Sequence, residues 1–254
     1  MRKSKILAKV RAGQPARLAM MGYFLPPFVA YAAQLGYDGI WLDLEHHNFE
    51  SREVQALTAF FHLYDIDCVV RPPTREKARL YRYLEDGATG LIIPHVNDAA
   101  TARDLVQSVK FPPVGDRGIH GRALEANFGL ENKDALVEHA LRETFVIVQI
   151  ETPQALAEAE AMAQITGLDG LYVGPADLGL RLKHVPGGIH VNEAIEQVAT
   201  ICQRFGKLWG SLAATEADLK FHRDLGCQFM VWGVDARILQ SGLTQAWADL
   251  DRVL

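Results

Sequence analysis

A few polar residues in this chain follow directly on short apolar runs, and their types suit proton transfer, oxyanion stabilisation and metal binding. Asp43-Leu44-Glu45-His46-His47 follows Gly39–Leu42, and Arg71 ends the Val69-Val70 run. Gln149-Ile150-Glu151 ends a third run, and Gly174-Pro175-Ala176-Asp177 follows a fourth. His46 is the candidate base, because imidazole titrates near neutrality and can take a proton in one step and return it in another. Asp43 is close enough in sequence to orient that imidazole or raise its basicity. A guanidinium at Arg71 can steady a carbonyl oxygen as it becomes an enolate, though an ion pair across a protein rim is an equal use for it. Glu151 and Asp177 are candidate ligands for a hard divalent cation, with waters or substrate oxygens completing an octahedron. Acidic residues after strands also cap the helices that follow, so each carboxylate taken singly has a structural reading. The turn at Gly174, Pro175 and Ala176 offers backbone N–H groups to a small carboxylate.

Such residues act together only if a fold gathers them. Eight apolar runs read as strands: Leu18–Tyr23, Gly39–Leu44, Cys68–Arg71, Gly90–Pro94, Phe145–Ile150, Gly170–Val173, Leu208–Leu212 and Phe229–Trp232. Helical spacing fills the intervals at Pro26–Gln34, Ser51–Tyr64, Arg75–Glu85, Ala99–Val109, Pro153–Ile165, Asn192–Phe205 and Glu216–Leu225. Ser51 stands as an N-cap, and glycines follow several helix ends. Strand–helix alternation predicts an α/β fold with a parallel sheet. Eight units in 254 residues predict a closed (β/α)8 TIM barrel occupying the whole chain. An open doubly wound sheet is the alternative, but no strand is followed by the spaced glycines of a dinucleotide site. In a barrel, the carboxyl ends of the strands form one rim, which would bring the polar residues together. The longest interval contains Phe111–Gly129, rich in Pro, Gly and Arg, and reads as a functional loop.

Composition narrows the classes. The net charge is −5, with no basic excess to hold a phosphate backbone, so nucleic acid is not an expected partner. Three scattered cysteines, Cys68, Cys202 and Cys227, fit a reducing cytoplasm better than a disulfide framework. No apolar stretch reaches the length of a membrane span, and the basic segment Met1–Gly13 reads as an amphipathic helix with Ile6, Leu7 and Val10 on one face. A Schiff-base lysine is not expected. Only Lys207 adjoins a strand, at its amino end, which argues for a metal-held enolate instead.

The chain resembles the HpcH/HpaI aldolases, or class II pyruvate aldolases, over nearly its full length. The stretches that carry the resemblance are Gly36–His46, Val70-Arg71-Pro72, Asp86-Gly87-Ala88 through Ile93-Pro94, Phe111–Gly118, Val148–Glu151, Asp169–Leu178 and Gly233-Val234-Asp235. The resemblance implies cleavage of 4-hydroxy-2-oxo acids to pyruvate and an aldehyde, with Mg2+, Mn2+ or Co2+ and no nucleotide. It implies a domain-swapped C-terminal helix in a homo-hexamer built as a trimer of dimers. By position, His46 would be the base and Asp43 its support, Arg71 would stabilise the transition state, and Glu151 and Asp177 would bind metal. Gln149 and the backbone of Ala176 and Asp177 would hold pyruvate. The family's base-tuning aspartate falls at Glu85, with Asp86 beside it.

Several features depart from the family pattern in regions that set specificity: His95 after Pro94, the loop Ile119–Glu125, and the tryptophans Trp41, Trp209 and Trp232, which read as core. Oxaloacetate decarboxylation and acyl-CoA ester cleavage of the citrate lyase β type are the alternative chemistries. Arg117, Arg122 and Arg181 are the arginines that a CoA ester would use. A barrel kept only for binding would be expected to lose its base, arginine or ligands, and none is lost.

Overall fold

The computed structural model describes residues 1–254. Eight strands, β1 (Ala16–Met21), β2 (Gly39–Asp43), β3 (Asp67–Arg71), β4 (Gly90–Ile93), β5 (Phe145–Ile150), β6 (Gly170–Val173), β7 (Leu208–Leu212) and β8 (Phe229–Val234), close into a barrel in chain order. Every neighbouring pair is parallel, including β1 with β8. The open-sheet alternative is therefore excluded.

Strand alternation sorts the apolar residues into two cores. Leu18, Trp41, Val69, Ile92, Ile147, Tyr172 and Val231 fill the barrel interior. The outward residues, such as Ile40, Leu42, Val70, Leu91, Val148 and Leu171, pack beneath the helices. Phe145 and Phe229 meet edge to face at 5.3 Å low in the interior. A Cβ at Gly90 would stand 2.2 Å from the Phe145 ring, so only glycine fits there.

The N-terminal helix Lys5–Arg11 closes the amino end of the barrel. Ile6 alone of its expected apolar face is fully buried, joining the interior core, whereas Leu7 and Val10 are only half-buried. Asp67 at the start of β3 anchors the entry, accepting from Ser4 Oγ at 2.6 Å and from the Ile6 N–H at 2.9 Å.

Five expectations need correction. β1 begins and ends two residues earlier than its apolar run, because the N–H groups of Gly22 and Tyr23 donate to Asp235 instead of a neighbouring strand. The cap of helix Ser51–Leu63 is Glu50, in a reciprocal box with Glu53. The stretch Pro153–Ile165 is two short helices, Pro153–Ala157 and Ala159–Ala163. The interval before β5 holds a helix, Lys133–Glu143, and the Phe111–Gly129 loop makes its contacts along the flank of helix Lys77–Glu85. Trp41 and Trp209 are core, but Trp232 is exposed. Helix Asp235–Asp251 leaves Ile238, Leu239, Leu243, Trp247 and Leu250 in solvent.

Candidate active site

β2 and β3 set the first half of the site. Their register places Asp43 opposite Arg71, both buried at the carboxyl rim. Arg71 grips Asp43 through two nitrogens, Nε to Oδ1 at 2.8 Å and Nη2 to Oδ2 at 2.7 Å. Its Nη1 lies 3.1 Å from Glu45 Oε2, and the guanidinium stacks 5.0 Å over the Trp41 ring. The second N–H on each terminal nitrogen remains for a ligand oxygen. Burial pushes the Asp43 carboxyl up, but the Arg71 hydrogen bond and charge outweigh it and hold it below the usual range. Burial likewise opposes the Arg71 charge, and Asp43 and Glu45 reverse the sign.

That direction gives a pH expectation. A carboxyl depressed in the folded state stabilises the fold above its unfolded pKa and loses that contribution as pH falls through the folded value. Asp43 therefore contributes fully above its ordinary value of 3.8 and progressively less below it. In thermal melts, Asp43→Asn should lower Tm at pH 7, with the gap to wild type narrowing below about pH 4. A gap that stays constant into acid would contradict this role.

The partner of Asp43 differs from the expected one. The imidazole on Asp43 belongs to His47, whose Nδ1 lies 3.1 Å from Oδ2. The His47 ring packs on Gly22, where a Cβ would come within 2.4 Å, and meets Tyr23 edge-on at 5.8 Å. Asp235 holds that β1 loop from the end of β8. His46 is exposed, with Nε2 3.7 Å from Glu45 Oε2, and Asp43 reaches only its backbone N–H, at 3.5 Å. Asp43 thus supports His46 through the loop, not through its ring. The reason is the seat of the His47 ring against Gly22 and Tyr23, which brings the second imidazole to Asp43.

β5 and β6 set the other half. Glu151 is buried, and its Oε1 accepts from the backbone N–H of His95 at 2.7 Å. Asp177 sits in the first turn of helix Pro175–Leu182, with its Oδ1 2.9 Å from Arg181 Nη1. The same Arg181 nitrogen donates to the Glu151 carbonyl at 2.9 Å, tying the two strand ends together. Gly174 permits their approach: a Cβ there would lie 2.7 Å from Gln149 Nε2 and 3.3 Å from Glu151 Cβ. Helix Pro175–Leu182 has no side-chain cap, so the N–H groups of Ala176 and Asp177 are open to an anion.

These residues fit a divalent cation. Buried Gln149 Oε1 has no hydrogen-bond partner, leaving a free acceptor on a side chain that flanks Gly174 together with Glu151. No group of three or more His, Cys, Asp or Glu side chains is arranged to hold a metal ion, so the protein offers two carboxylates and leaves the other positions to water and substrate oxygens. Lys207 holds the Ile165 and Leu168 carbonyls at the amino end, far from the rim.

Glu85 does not join the site within its own chain. Helix Lys77–Glu85 starts at the rim and runs towards the amino end, and Glu85 ends it beside Arg82, in a cleft of about 390 Å3 with Tyr81, Gly118, Ile119 and His120. Burial pushes its carboxyl up. Glu45 and His47 lie in the same strand-end stretch as Asp43, whereas Arg181, on helix Pro175–Leu182, was named from the sequence only as an arginine for a CoA ester.

A model of the HpcH/HpaI aldolase/citrate lyase family matches residues 23–241. The chain belongs to this family. It is 32% identical over 239 residues to a hydroxypyruvate/pyruvate aldolase of Pseudomonas aeruginosa, covering 93% of this chain and 89% of that one. It is also 32% identical over 239 residues to a 4-hydroxy-2-oxo-heptane-1,7-dioate aldolase of Salmonella arizonae, covering 92% and 89%. The crystal structure of an HpcH/HpaI aldolase from Desulfitobacterium hafniense superposes with a TM-score of 0.88 at 29% identity, covering 96% of this chain and 95% of that one. This family member carries the polar rim described above on the barrel it shares with that structure.

Proposed function

We propose that this enzyme is a pyruvate aldolase that reversibly cleaves a 4-hydroxy-2-oxo acid to pyruvate and an aldehyde. One observation carries the reading. A guanidinium fixed on Asp43, with N–H groups to spare, shares a rim with the carboxylates of Glu151 and Asp177 and the unpartnered Gln149 Oε1. The aldolase names of its relatives point to the same reaction.

Glu151 and Asp177 would hold Mg2+, Mn2+ or Co2+, and a cation there supplies Lewis-acid polarisation of the 2-oxo group. Gln149 and the N–H groups of Ala176 and Asp177, with Gly174 and Pro175 shaping the turn, hold the pyruvyl carboxylate. Arg71 donates to the carbonyl oxygen as negative charge grows on it. His46, free at the mouth, takes the proton of the 4-hydroxyl and later returns one to C3. His47 keeps Asp43, and so Arg71, in place. For the acyl-CoA reading, two of the three available arginines are paired: Arg117 is buried against Glu125 and Phe111, and the half-exposed Arg181 pairs with Asp177.

The test is incubation of purified protein with pyruvate, a panel of aldehydes and Mg2+, Mn2+ or Co2+. Aldol adducts that form only with metal support the reading. Absence of an adduct across the panel, with oxaloacetate decarboxylated, would favour the decarboxylase.

The assembly is part of the same reading. The exposed apolar residues of helix Asp235–Asp251 suit a homo-hexamer in which this helix packs on another subunit. Glu85 could then act on an imidazole only across a subunit boundary. Trp247→Glu should lower the mass measured by light scattering, whereas a monomeric wild type would contradict the assembly. No helix is long and apolar enough to cross a membrane. All three cysteines are free and buried, in keeping with a cytoplasmic enzyme.

A further inference from the structure

His95 follows Pro94 at the end of β4, and its φ of 59° lies in the left-handed region. A side chain with a Cβ rarely adopts that conformation unless its surroundings impose it. Packing does not impose it here, since the side chain is 61% exposed. Polar contacts do. The backbone N–H donates to Glu151 Oε1 at 2.7 Å, and the carbonyl accepts from Arg75 Nη1 at 2.9 Å. The ring spans two carboxylates, with Nδ1 3.0 Å from Glu151 Oε1 and Nε2 2.7 Å from Glu45 Oε1. The other oxygen of Glu45 lies 3.1 Å from Arg71 Nη1. One line of contacts, Arg71–Glu45–His95–Glu151, therefore runs around the rim from β3 to β5.

We propose that His95 is a positioning residue whose imidazole ties the metal-binding carboxylate of Glu151 through Glu45 to Arg71, so that cation and guanidinium are held as one unit. The proposal rests on Glu151 binding the metal. Its chemical sense is that the two groups act on the same carbonyl oxygen, and their separation must suit that one atom. A carboxylate with one oxygen held in place presents the other in a fixed direction. Partners of this kind, outside the ligand set, commonly change metal affinity by about tenfold to a hundredfold when removed.

His95→Gly removes the ring, keeps the backbone N–H to Glu151 and suits the left-handed backbone, so the fold should be retained. His95→Asn also suits that backbone and keeps a side-chain N–H near the position of Nδ1. Mn2+ dissociation constants, measured by electron paramagnetic resonance of free Mn2+ without substrate, are the readout. His95→Gly should bind on the order of tenfold more weakly. His95→Asn should recover only part of that loss, because it keeps a contact with Glu151 but cannot reach Glu45. Glu45→Gln should weaken binding as well, and adding it to His95→Gly should cost little more, because both cut the same line.

Mn2+ affinity in His95→Gly within about twofold of wild type would overturn the proposal, as would equal loss in the Gly and Asn variants or full additivity with Glu45→Gln. Glu151→Ala separates the two levels. Loss of Mn2+ in that variant, with His95→Gly unaffected, sinks the His95 proposal alone. Failure of the unaltered enzyme to bind Mn2+ overturns the metal reading and the His95 proposal with it.

Discussion

Arg71→Lys is expected to lower kcat by about a hundredfold or more, the cost of losing one donor to a developing oxyanion, or about 2.7–4 kcal/mol. Lysine keeps the positive charge, so a purely electrostatic role would survive the exchange. It cannot reproduce the geometry. Arg71 spends one edge of its fork on both oxygens of Asp43, faces Glu45 with Nη1, and still has N–H groups for a ligand. An ammonium on a flexible stem would be drawn onto the two carboxylates and leave the carbonyl oxygen without a directed donor. The fold should tolerate the change, because a cation remains to face Asp43 and Glu45. Steady-state kinetics with metal saturating would show the loss mainly in kcat. Turnover near wild type would reduce Arg71 to an ion-pair residue.

The second large effect separates two adjacent histidines. Aldol cleavage needs a base on the 4-hydroxyl, whereas decarboxylation of oxaloacetate needs none, because loss of CO2 supplies the electrons. His46→Ala should therefore lose aldol activity by about a hundredfold to ten-thousandfold, the range for removing a general base, while keeping Mn2+ binding and much of any decarboxylase activity. His47→Ala removes the imidazole that shares Asp43 with Arg71. It should depress both reactions together and by less, because Arg71 retains its own two contacts with Asp43. Equal losses of both reactions in His46→Ala, with metal still bound, would show that His46 is not the base. A selective loss of aldol activity in His47→Ala would move that role to His47.

The barrel was legible because its strands are buried on both faces and read as continuous apolar runs, as Phe145–Ile150 does. Strand ends were legible for the same reason, and with them Asp43, Arg71, Glu151 and Asp177. What failed depended on contacts between strands distant in sequence. Only the fold brings Asp235 to Gly22 and Tyr23, which ends β1 at Met21. Only the packing of His47 on Gly22 decides which imidazole reaches Asp43. Glu85 illustrates another limit. The family pattern marks the position, but the direction of helix Lys77–Glu85 carries it away from the rim of its own barrel. His95 stood out in the sequence only as a departure, and its two carboxylate contacts needed coordinates to be seen.

In the proposed mechanism the rim makes an enolate of pyruvate with a divalent cation held by Glu151 and Asp177. Exchange of the C3 protons of pyruvate in deuterium oxide, followed by proton NMR without any aldehyde, tests it most directly. The methyl signal should be lost with Mg2+, exchange should stop in excess chelator and recover on adding Mg2+ back, and Glu151→Ala should show no exchange. Exchange that continues at full rate in excess chelator, or a pyruvate adduct trapped on the protein by borohydride, would contradict it.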